Sequence, residues 1–159
     1  MNIFFLDQSP IVSAKAMTNK HVVKMILETA QLLSTAHHVL DDEFNHDDLY
    51  KKTHVNHPSA VWVRESNENY AWAYEHFIAL CDEYTQRYNK IHATEIKLKS
   101  VLATPPRNIP YKKMTPIKLA ITNKAWHRKN PFESYRIYYE NEKLKTHDDK
   151  QRYDFVLSH

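Results

Sequence analysis

The sequence predicts an all-α protein: a single compact helical domain over residues 1–145, an extended N-terminal segment across the helices, and a polar tail over 146–159. Two observations support this prediction. The 159 residues contain no glycine, and hairpin-rich folds need the positive φ angles that glycine adopts most readily. Two long segments, 18–40 and 66–92, carry apolar residues at steps of three and four, which is typical of amphipathic helices.

The N-terminal third begins with an apolar segment and continues into the first long helix. Residues 1–6, MNIFFL, predict a short strand or an extended arm, and residues 11–17 predict one or two helical turns. Thr18 or Asn19 can cap the long helix that follows. The polar, acidic residues 41–53 predict a loop after it.

Capping residues mark the next two helices. Asn56 or His57 can cap a short helix that has Pro58 in its first turn. Ser66 can cap the second long helix, which we expect to end near His92. This helix carries an aromatic stripe, which is typical of a protein core: Tyr70, Tyr74, Phe77, Cys81, Tyr84 and Tyr88.

The C-terminal part alternates helices with stiff or polar segments. We expect helices over 94–103 and 132–145. Between them, TPPRNIP (104–110) predicts an extended chain because proline cannot continue a helix, and residues 116–129 have a weaker amphipathic pattern. The tail over 146–159 is highly polar, and we expect it to be at most partly ordered.

Charge is distributed unevenly along the chain. The net charge is +3, but residues 96–132 contain no Asp or Glu. Nine basic residues lie in that segment: Lys97, Lys99, Arg107, Lys112, Lys113, Lys118, Lys124, Arg128 and Lys129. The segment is either a solvated basic flank or a contact surface for a polyanion. We predict double-stranded DNA as the partner.

One face of the first long helix presents a row of polar side chains: His21, Lys24, Glu28, Gln31 and Thr35. His21 and Glu28 are two turns apart, so both point the same way at a separation of about 10 Å. The row is either a catalytic face or a solvated face, because the Lys24–Glu28 spacing is common in surface ion pairs.

Several classes of chemistry lack their motifs. The chain has no glycine-rich phosphate loop, no serine nucleophile elbow and no second carboxylate paired with Glu28 as in glycosidases. Eleven histidines, among them the His54/His57 pair, come without an HExxH motif, and we predict neither a metal nor a cofactor. One cysteine and no apolar run of membrane-spanning length predict a cytoplasmic protein with no membrane partner.

An amine and a carboxylate remain as candidate chemistry. An α-amino group titrates near ~7.7–8.0, so that of Met1 is partly neutral at physiological pH. It can therefore attack a sugar C1′ and form an imine. Lys20 and Lys24 are alternative amines, and Glu28 is the candidate acid and base.

Three segments resemble the pyrimidine-dimer DNA glycosylase family, the endonuclease V-type repair enzymes. They are KHVVKMILETAQLL (20–33), NHPSAVW (56–62) and NYAWAYEHFIALCDEYTQRYN (69–89). The C-terminal segments TPPRNIP and YRIYYENEK resemble uncharacterised phage proteins of that kind. The resemblance implies an all-α fold in which an N-terminal amine attacks C1′ of a damaged nucleotide. It also implies that Glu28 stabilises the charged sugar and then takes the C2′ proton, so that the strand breaks by β-elimination.

We therefore predict Glu28, Met1 and His21 as catalytic residues, with Met1 retained because Asn2 is bulky. The predicted DNA-binding residues are polar side chains from several parts of the chain: Lys20, Lys24, Gln31, His57, Arg64, Arg107, Asn108, Lys112, Lys113 and Arg136.

Two other functions are compatible with the sequence. The protein can be a non-enzymatic DNA- or protein-binding phage module, in which Glu28 would be dispensable. It can also be an enzyme acting on free nucleotides, with a deep pocket closed by TPPRNIP and no salt-dependent duplex binding.

Overall fold

The computed structural model describes residues 2–158, and it confirms the all-α fold class. The helices are α1 (Pro10–Lys15), α2 (Asn19–Leu40), α3 (Pro58–Val63), α4 (Asn67–Tyr88), α5 (Ala93–Leu102), α6 (Pro131–Glu142) and α7 (His147–Ser158), with one 3₁₀ turn at Lys124–Trp126. No β-strand occurs within residues 2–158. No helix in the same range is long and apolar enough to cross a membrane.

The helix starts follow the capping residues in the sequence. Thr18 Oγ1 accepts the His21 backbone N–H at 3.1 Å to begin α2, and Ser66 Oγ accepts that of Asn69 at 3.0 Å to begin α4. Helix α4 ends at Tyr88 rather than near His92, because Asn89 adopts a left-handed conformation with φ 55°. Asparagine tolerates this conformation better than most residues, so it terminates the helix.

The core lies where α4 packs against α1 and α2. Most of the predicted aromatic stripe is buried there, including Tyr70, Phe77 and Tyr84, whereas Tyr88 at the end of the helix is exposed. Tyr70 donates its hydroxyl to the carbonyl of Leu102 at 2.7 Å, which ties α4 to the end of α5.

The N-terminal arm, residues 2–6, belongs to no helix and is buried from Ile3 to Leu6. Phe5 contacts the rings of Trp62, Trp72 and Tyr135, which belong to α3, α4 and α6. The arm is therefore part of the core, and it carries Asn2 to the edge of helix α2.

The C-terminal tail is more ordered than the sequence predicted. The expectation that residues 146–159 are at most partly ordered was wrong for His147–Ser158, which form helix α7. A few specific contacts hold this polar helix. Asp149 accepts the Asn19 backbone N–H at 3.1 Å, and buried Tyr153 donates its hydroxyl to Glu140 at 2.6 Å. Such contacts leave no apolar periodicity in the sequence.

The segment between α5 and α6 is mostly irregular. The amphipathic residues 116–129 contain only the 3₁₀ turn among regular elements. Side chains hold the segment in place: Trp62 Nε1 donates to the Thr115 carbonyl at 3.1 Å, and Asn2 Nδ2 donates to that of Ala120 at 2.8 Å. These bonds bring the basic segment alongside α3 and the N-terminal arm. Helix α6 begins at Pro131 and ends at Glu142, slightly before the predicted end.

Candidate active site

A cavity of about 250 Å³ opens where the N-terminal arm meets helix α2. It brings together four residues that the sequence predicted to act in one site: His21, Lys24, Glu28 and His57. The remaining lining residues are Asn2, Phe4, Met25, Tyr138 and Lys143. Four parts of the fold thus converge: the arm, the polar face of α2, the start of α3 and the end of α6 with the residue after it.

Glu28 lies on the α2 wall of the cavity and is buried. Lys24, one turn earlier, places its Nζ 3.8 Å from Glu28 Oε2. The face of α2 that carries them is therefore not uniformly solvated. It provides a shielded carboxylate beside a more exposed ammonium group.

His21 lies between the arm and helix α6. Its ring stacks on Phe4 with centroids 4.6 Å apart, and its Nδ1 lies 2.8 Å from the Tyr139 hydroxyl. Burial, together with Lys143 and Lys24, lowers the pKa of His21 to about 4. His21 is therefore neutral near pH 7 and cannot hold a phosphate as a cation. Its contacts orient the arm instead.

The Tyr139 hydroxyl links His21 to the start of α2. It accepts the Thr18 backbone N–H at 2.9 Å, and burial raises the pKa of Tyr139 to about 12. The hydroxyl therefore stays protonated at neutral pH, and this connection between α6 and α2 persists there.

His57 also lines the cavity and caps helix α3. Its Nδ1 accepts the Ser59 backbone N–H at 3.1 Å, and burial lowers its pKa. Both features favour the neutral ring with its proton on Nε2, since a cation at a helix N-terminus is unfavourable. Ser59 Oγ in turn accepts the Ile3 backbone N–H at 3.4 Å, so α3 is tied to the arm.

A second cavity of about 400 Å³ adjoins the first and shares His21 and Lys143 with it. Lys20 and Lys145 also line this second cavity, together with the acidic residues Glu142 and Asp149. Four lysines thus border the two cavities: Lys20, Lys24, Lys143 and Lys145. Such a rim suits the phosphates on either side of a reacting nucleotide.

Sequence reasoning did not assign Asn2, Phe4, Tyr138 or Lys143 to the site. Tyr138 and Lys143 lie at the C-terminal end of the chain, and Lys143 Nζ sits 5.4 Å from the Tyr138 ring centroid. The sequence predicted their helix but contained no signal for where it docks. The sequence analysis assigned Asn2 and Phe4 only to the N-terminal arm, because nothing in MNIFFL indicates that these residues line a cavity.

Several predicted residues lie elsewhere. Gln31 is on α2 but does not line the cavity. Arg64 Nη1 donates to the Val55 carbonyl at 2.8 Å and so fixes the loop before His57.

Arg136 donates from Nε to the Leu6 carbonyl at 2.6 Å and from Nη2 to Asp7 at 2.9 Å. Both arginines hold backbone segments that flank the site.

The proline-rich loop lies at the far end of α2. The Asp41 carboxylate accepts the backbone N–H groups of Arg107 and Asn108 at 2.7 and 2.9 Å. Asp41 follows Glu28 by thirteen residues, which is about 20 Å along a helix. TPPRNIP therefore does not close this cavity.

Lys112 and Lys113 are exposed near the start of α4, where the Lys112 backbone N–H donates to Asn67 at 2.8 Å.

The histidines near the end of α2 bond to the protein itself. His37 Nε2 lies 3.0 Å from the Tyr70 hydroxyl, His38 Nε2 is 2.9 Å from the Tyr50 carbonyl, and His46 Nε2 is 2.7 Å from that of Asp41. Within residues 2–158, no group of three or more His, Cys, Asp or Glu side chains is placed to hold a metal ion.

The fold and the site together define an all-helical protein with a buried carboxylate, amines and a lysine rim around a small cavity. A family model described as pyrimidine dimer DNA glycosylase matches residues 1–96. The chain therefore belongs to this family, which confirms the resemblance found in the sequence. No curated protein and no solved structure matched the chain. The match includes Glu28, Lys24, His21 and His57, and it ends before the basic segment and Lys143.

Proposed function

We propose that this protein is a DNA glycosylase with AP-lyase activity that acts on damaged or modified pyrimidines in double-stranded DNA. The observation that carries the proposal is the cavity in which Asn2, Lys24 and Glu28 meet. It combines the buried Glu28 carboxylate with the N-terminal arm, and these three residues lie within the part matched by the glycosylase family.

The nucleophile in this proposal is the α-amino group of Met1, a residue outside the described range. Asn2, which is covalently joined to Met1, lines the cavity and is fixed by two hydrogen bonds. Its Nδ2 donates to Ala120 at 2.8 Å, and its Oδ1 accepts the Tyr135 hydroxyl at 3.0 Å. Nucleophilic attack requires an oriented amine, and the anchored position of Asn2 at the cavity supports the choice of the α-amino group next to it in the chain. Lys24 is the alternative amine.

The proposed reaction has two stages. First, the amine nitrogen bonds to C1′ while the bond from C1′ to the pyrimidine nitrogen breaks, and the base leaves with the bonding electrons and takes a proton. The nitrogen gives up both of its protons in this stage, one to the departing base and one to O4′. Its electron pair forms the C=N bond as the C1′–O4′ bond breaks, so the sugar ring opens and an imine results. The Glu28 carboxylate stabilises the positive charge that develops at C1′.

In the second stage, Glu28 takes the proton from C2′. The electrons of that C–H bond form a double bond between C2′ and C3′, and the phosphate on C3′ departs with its bonding electrons, so the strand is cut. Water then hydrolyses the imine and releases the amine. The lysine rim formed by Lys20, Lys24, Lys143 and Lys145 would stabilise the flanking phosphates.

The lysine rim favours DNA over a free nucleotide as substrate. The cavity of about 250 Å³ adjoins one of about 400 Å³, and the four lysines of the rim border the pair. A reacting sugar can enter while the remainder of a polymer lies outside along the lysine rim. The acid-free segment 96–132 supplies further positive charge for that polymer.

The test of this function is Glu28→Gln, assayed on a duplex that carries a cyclobutane pyrimidine dimer. Cutting one glycosidic bond leaves the base joined to its neighbour through the cyclobutane ring, so base release is measured as free pyrimidine after photoreversal of the dimer. We expect base release to fall by at least about 100-fold, because a neutral amide does not stabilise the cation at C1′. Duplex binding should persist. Glu68→Gln, an exposed residue on α4, is the matched control. Base release at the wild-type rate by Glu28→Gln would contradict the proposed mechanism.

A further inference from the structure

Four consecutive residues, Tyr111 to Met114, form a protruding tip on the segment between α5 and α6. Tyr111 is 91% exposed, the highest value among the large hydrophobic residues described as exposed, and Met114 is 43% exposed. Lys112 and Lys113 lie between them and are also exposed. Both faces of the Tyr111 ring are therefore open for stacking by a ligand, and two amines lie beside it in the chain.

Two asparagines of α4 fix the backbone on both sides of the 111–114 tip. The Asn67 backbone N–H donates to the Pro110 carbonyl at 3.0 Å, and Asn67 Oδ1 accepts the Lys112 N–H at 2.8 Å. Asn69 Oδ1 accepts the Thr115 N–H at 3.0 Å, and its Nδ2 donates to Thr115 Oγ1 at 2.7 Å. Helix α4 therefore holds the backbone on both sides of the tip.

The charge of the tip is not neutralised by neighbouring acids. The ion pairs described for residues 2–158 include Lys118 with Glu65, at 3.2 Å, but none that involves Lys112 or Lys113. Both lysines belong to the segment that lacks Asp and Glu. A pair of unneutralised lysines beside an exposed ring matches the chemistry of DNA, with phosphates for the amines and a base for the ring.

Helix α3 connects the tip to the catalytic cavity. His57 caps one end of α3 within the cavity, and Trp62, near the other end, donates its Nε1–H to the Thr115 carbonyl directly after the tip. A helix of six residues is about 9 Å long. One DNA strand advances 3.4 Å per nucleotide. If the reacting sugar of a duplex enters the cavity, nucleotides a few positions along the strand therefore lie within reach of the tip.

We propose that the 111–114 tip is a second DNA contact, in which Tyr111 stacks on a nucleobase and Lys112 and Lys113 bind phosphates. This inference rests on the proposed function, since it requires duplex DNA at the cavity. The tip lies outside residues 1–96, the part matched by the family. Stacking at a fixed wedge would help to open the duplex near the nucleotide that enters the cavity.

The test compares Tyr111→Ala, Tyr111→Phe and Tyr88→Ala in binding to an undamaged duplex, measured by fluorescence anisotropy. Removing a ring that stacks on a base should weaken binding about tenfold or more. Tyr111→Phe keeps the ring and should bind as the wild type does. Tyr88→Ala removes another exposed tyrosine, at the opposite end of α4, and should have little effect. Thermal unfolding of each variant checks the fold.

Two further measurements distinguish stacking from charge. Tyr111→Ala should leave the dependence of log K on log salt unchanged, whereas Lys112→Ala with Lys113→Ala should reduce its slope by about 1.8. A duplex that contains 5-iodouracil, irradiated with the protein, should cross-link at Tyr111. Wild-type affinity of folded Tyr111→Ala, or an equal loss in Tyr88→Ala, would overturn the inference.

Wild-type base release separates this inference from the proposed function. If the wild type binds duplex and releases the damaged base while Tyr111→Ala binds equally well, only the tip assignment fails. If the wild type binds duplex without releasing a base, the proposed enzyme activity fails, and the binding comparison still decides the role of Tyr111. If the wild type binds no DNA, both proposals are wrong.

Discussion

Lys24 Nζ and Glu28 Oε2 lie 3.8 Å apart on consecutive turns of α2, yet the lysine side chain is 62% exposed and that of the glutamate is 11% exposed. A pair with one partner in water contributes little to stability. The exposed Lys24 ammonium lies on the solvent side of the pair, and the Glu28 carboxylate is buried. This arrangement supports the proposal that Lys24 binds an anionic ligand, since the pair adds little to the stability of the fold.

The first prediction concerns Lys24→Ala. Because the ion pair is open to solvent, the free energy of unfolding should change by less than about 0.5 kcal/mol. Duplex binding should weaken, with the slope of log K against log salt reduced by about 0.9, because one phosphate contact is lost. Lys24→Arg should retain the slope. Urea unfolding and anisotropy titrations between low and high salt measure both quantities.

Lys51→Ala is the control for that variant, since Lys51 is an exposed lysine on the connection after α2. It should leave both stability and salt slope unchanged. An unchanged salt slope in Lys24→Ala would show that Lys24 does not face the DNA.

The second prediction concerns Arg136, which sequence reasoning assigned to DNA binding. Its guanidinium holds the Leu6 carbonyl and the Asp7 carboxylate. Arg136→Ala should therefore destabilise the protein by about 1.5–3 kcal/mol, the range for hydrogen bonds to charged groups. Base release should fall as the arm loosens, while the salt slope of duplex binding stays unchanged. Urea unfolding, base release and salt titration test the three effects.

Arg136→Lys discriminates further, because one ammonium group cannot reproduce the two-pronged contact of the guanidinium. It should recover only part of the lost stability. Unaltered stability of Arg136→Ala together with a lower salt slope would instead favour the DNA-binding role.

The third prediction is loss of stability in mild acid. Burial lowers the pKa of His76 to about 4, and that of His21 is lowered to about 4 as well. In the unfolded chain both titrate near ~6.5. Between these values the unfolded state binds more protons, so the free energy of unfolding should decrease as pH falls from about 6.5 to 4, by about 1.4 kcal/mol per pH unit for each fully buried histidine.

His76→Gln tests this prediction, because His76 Nδ1 lies 3.0 Å from the Pro10 carbonyl and a glutamine amide can donate there without titrating. Urea unfolding at several pH values should show a shallower acid dependence in this variant than in the wild type. An identical dependence in the two proteins would mean that His76 does not contribute.

The sequence predicted helices α1 to α6 and four of the nine residues that line the cavity. His21, Lys24 and Glu28 share a helix face whose geometry follows directly from spacing, and capping residues such as Ser66 mark where helices begin. Lys143 and Tyr138 were not assigned to the cavity because their place depends on how α6 docks, which spacing along the chain does not reveal. Helix α7 was missed because Asp149 and Tyr153 hold it through individual polar contacts rather than an apolar stripe.

Charge alone did not locate the site either. Arg107 and Asn108 belong to a basic, acid-free segment, but the Asp41 carboxylate binds their backbone at the far end of α2. Tyr111, a single aromatic residue before two lysines, is part of no helical or strand pattern, so the sequence assigned it no role. Its exposure depends on the position of its segment on α4, where Asn67 and Asn69 bind the backbone.

Borohydride trapping tests the central claim most directly. The protein is mixed with duplex DNA that carries an abasic site or a cyclobutane pyrimidine dimer, the imine is reduced, and the adduct is located by peptide mass spectrometry. We expect a covalent adduct at the α-amino group of Met1 with both duplexes, and none with undamaged DNA. An adduct at Lys20 or Lys24 would contradict the assignment of the nucleophile. The absence of any adduct from folded protein would contradict imine chemistry at this site altogether.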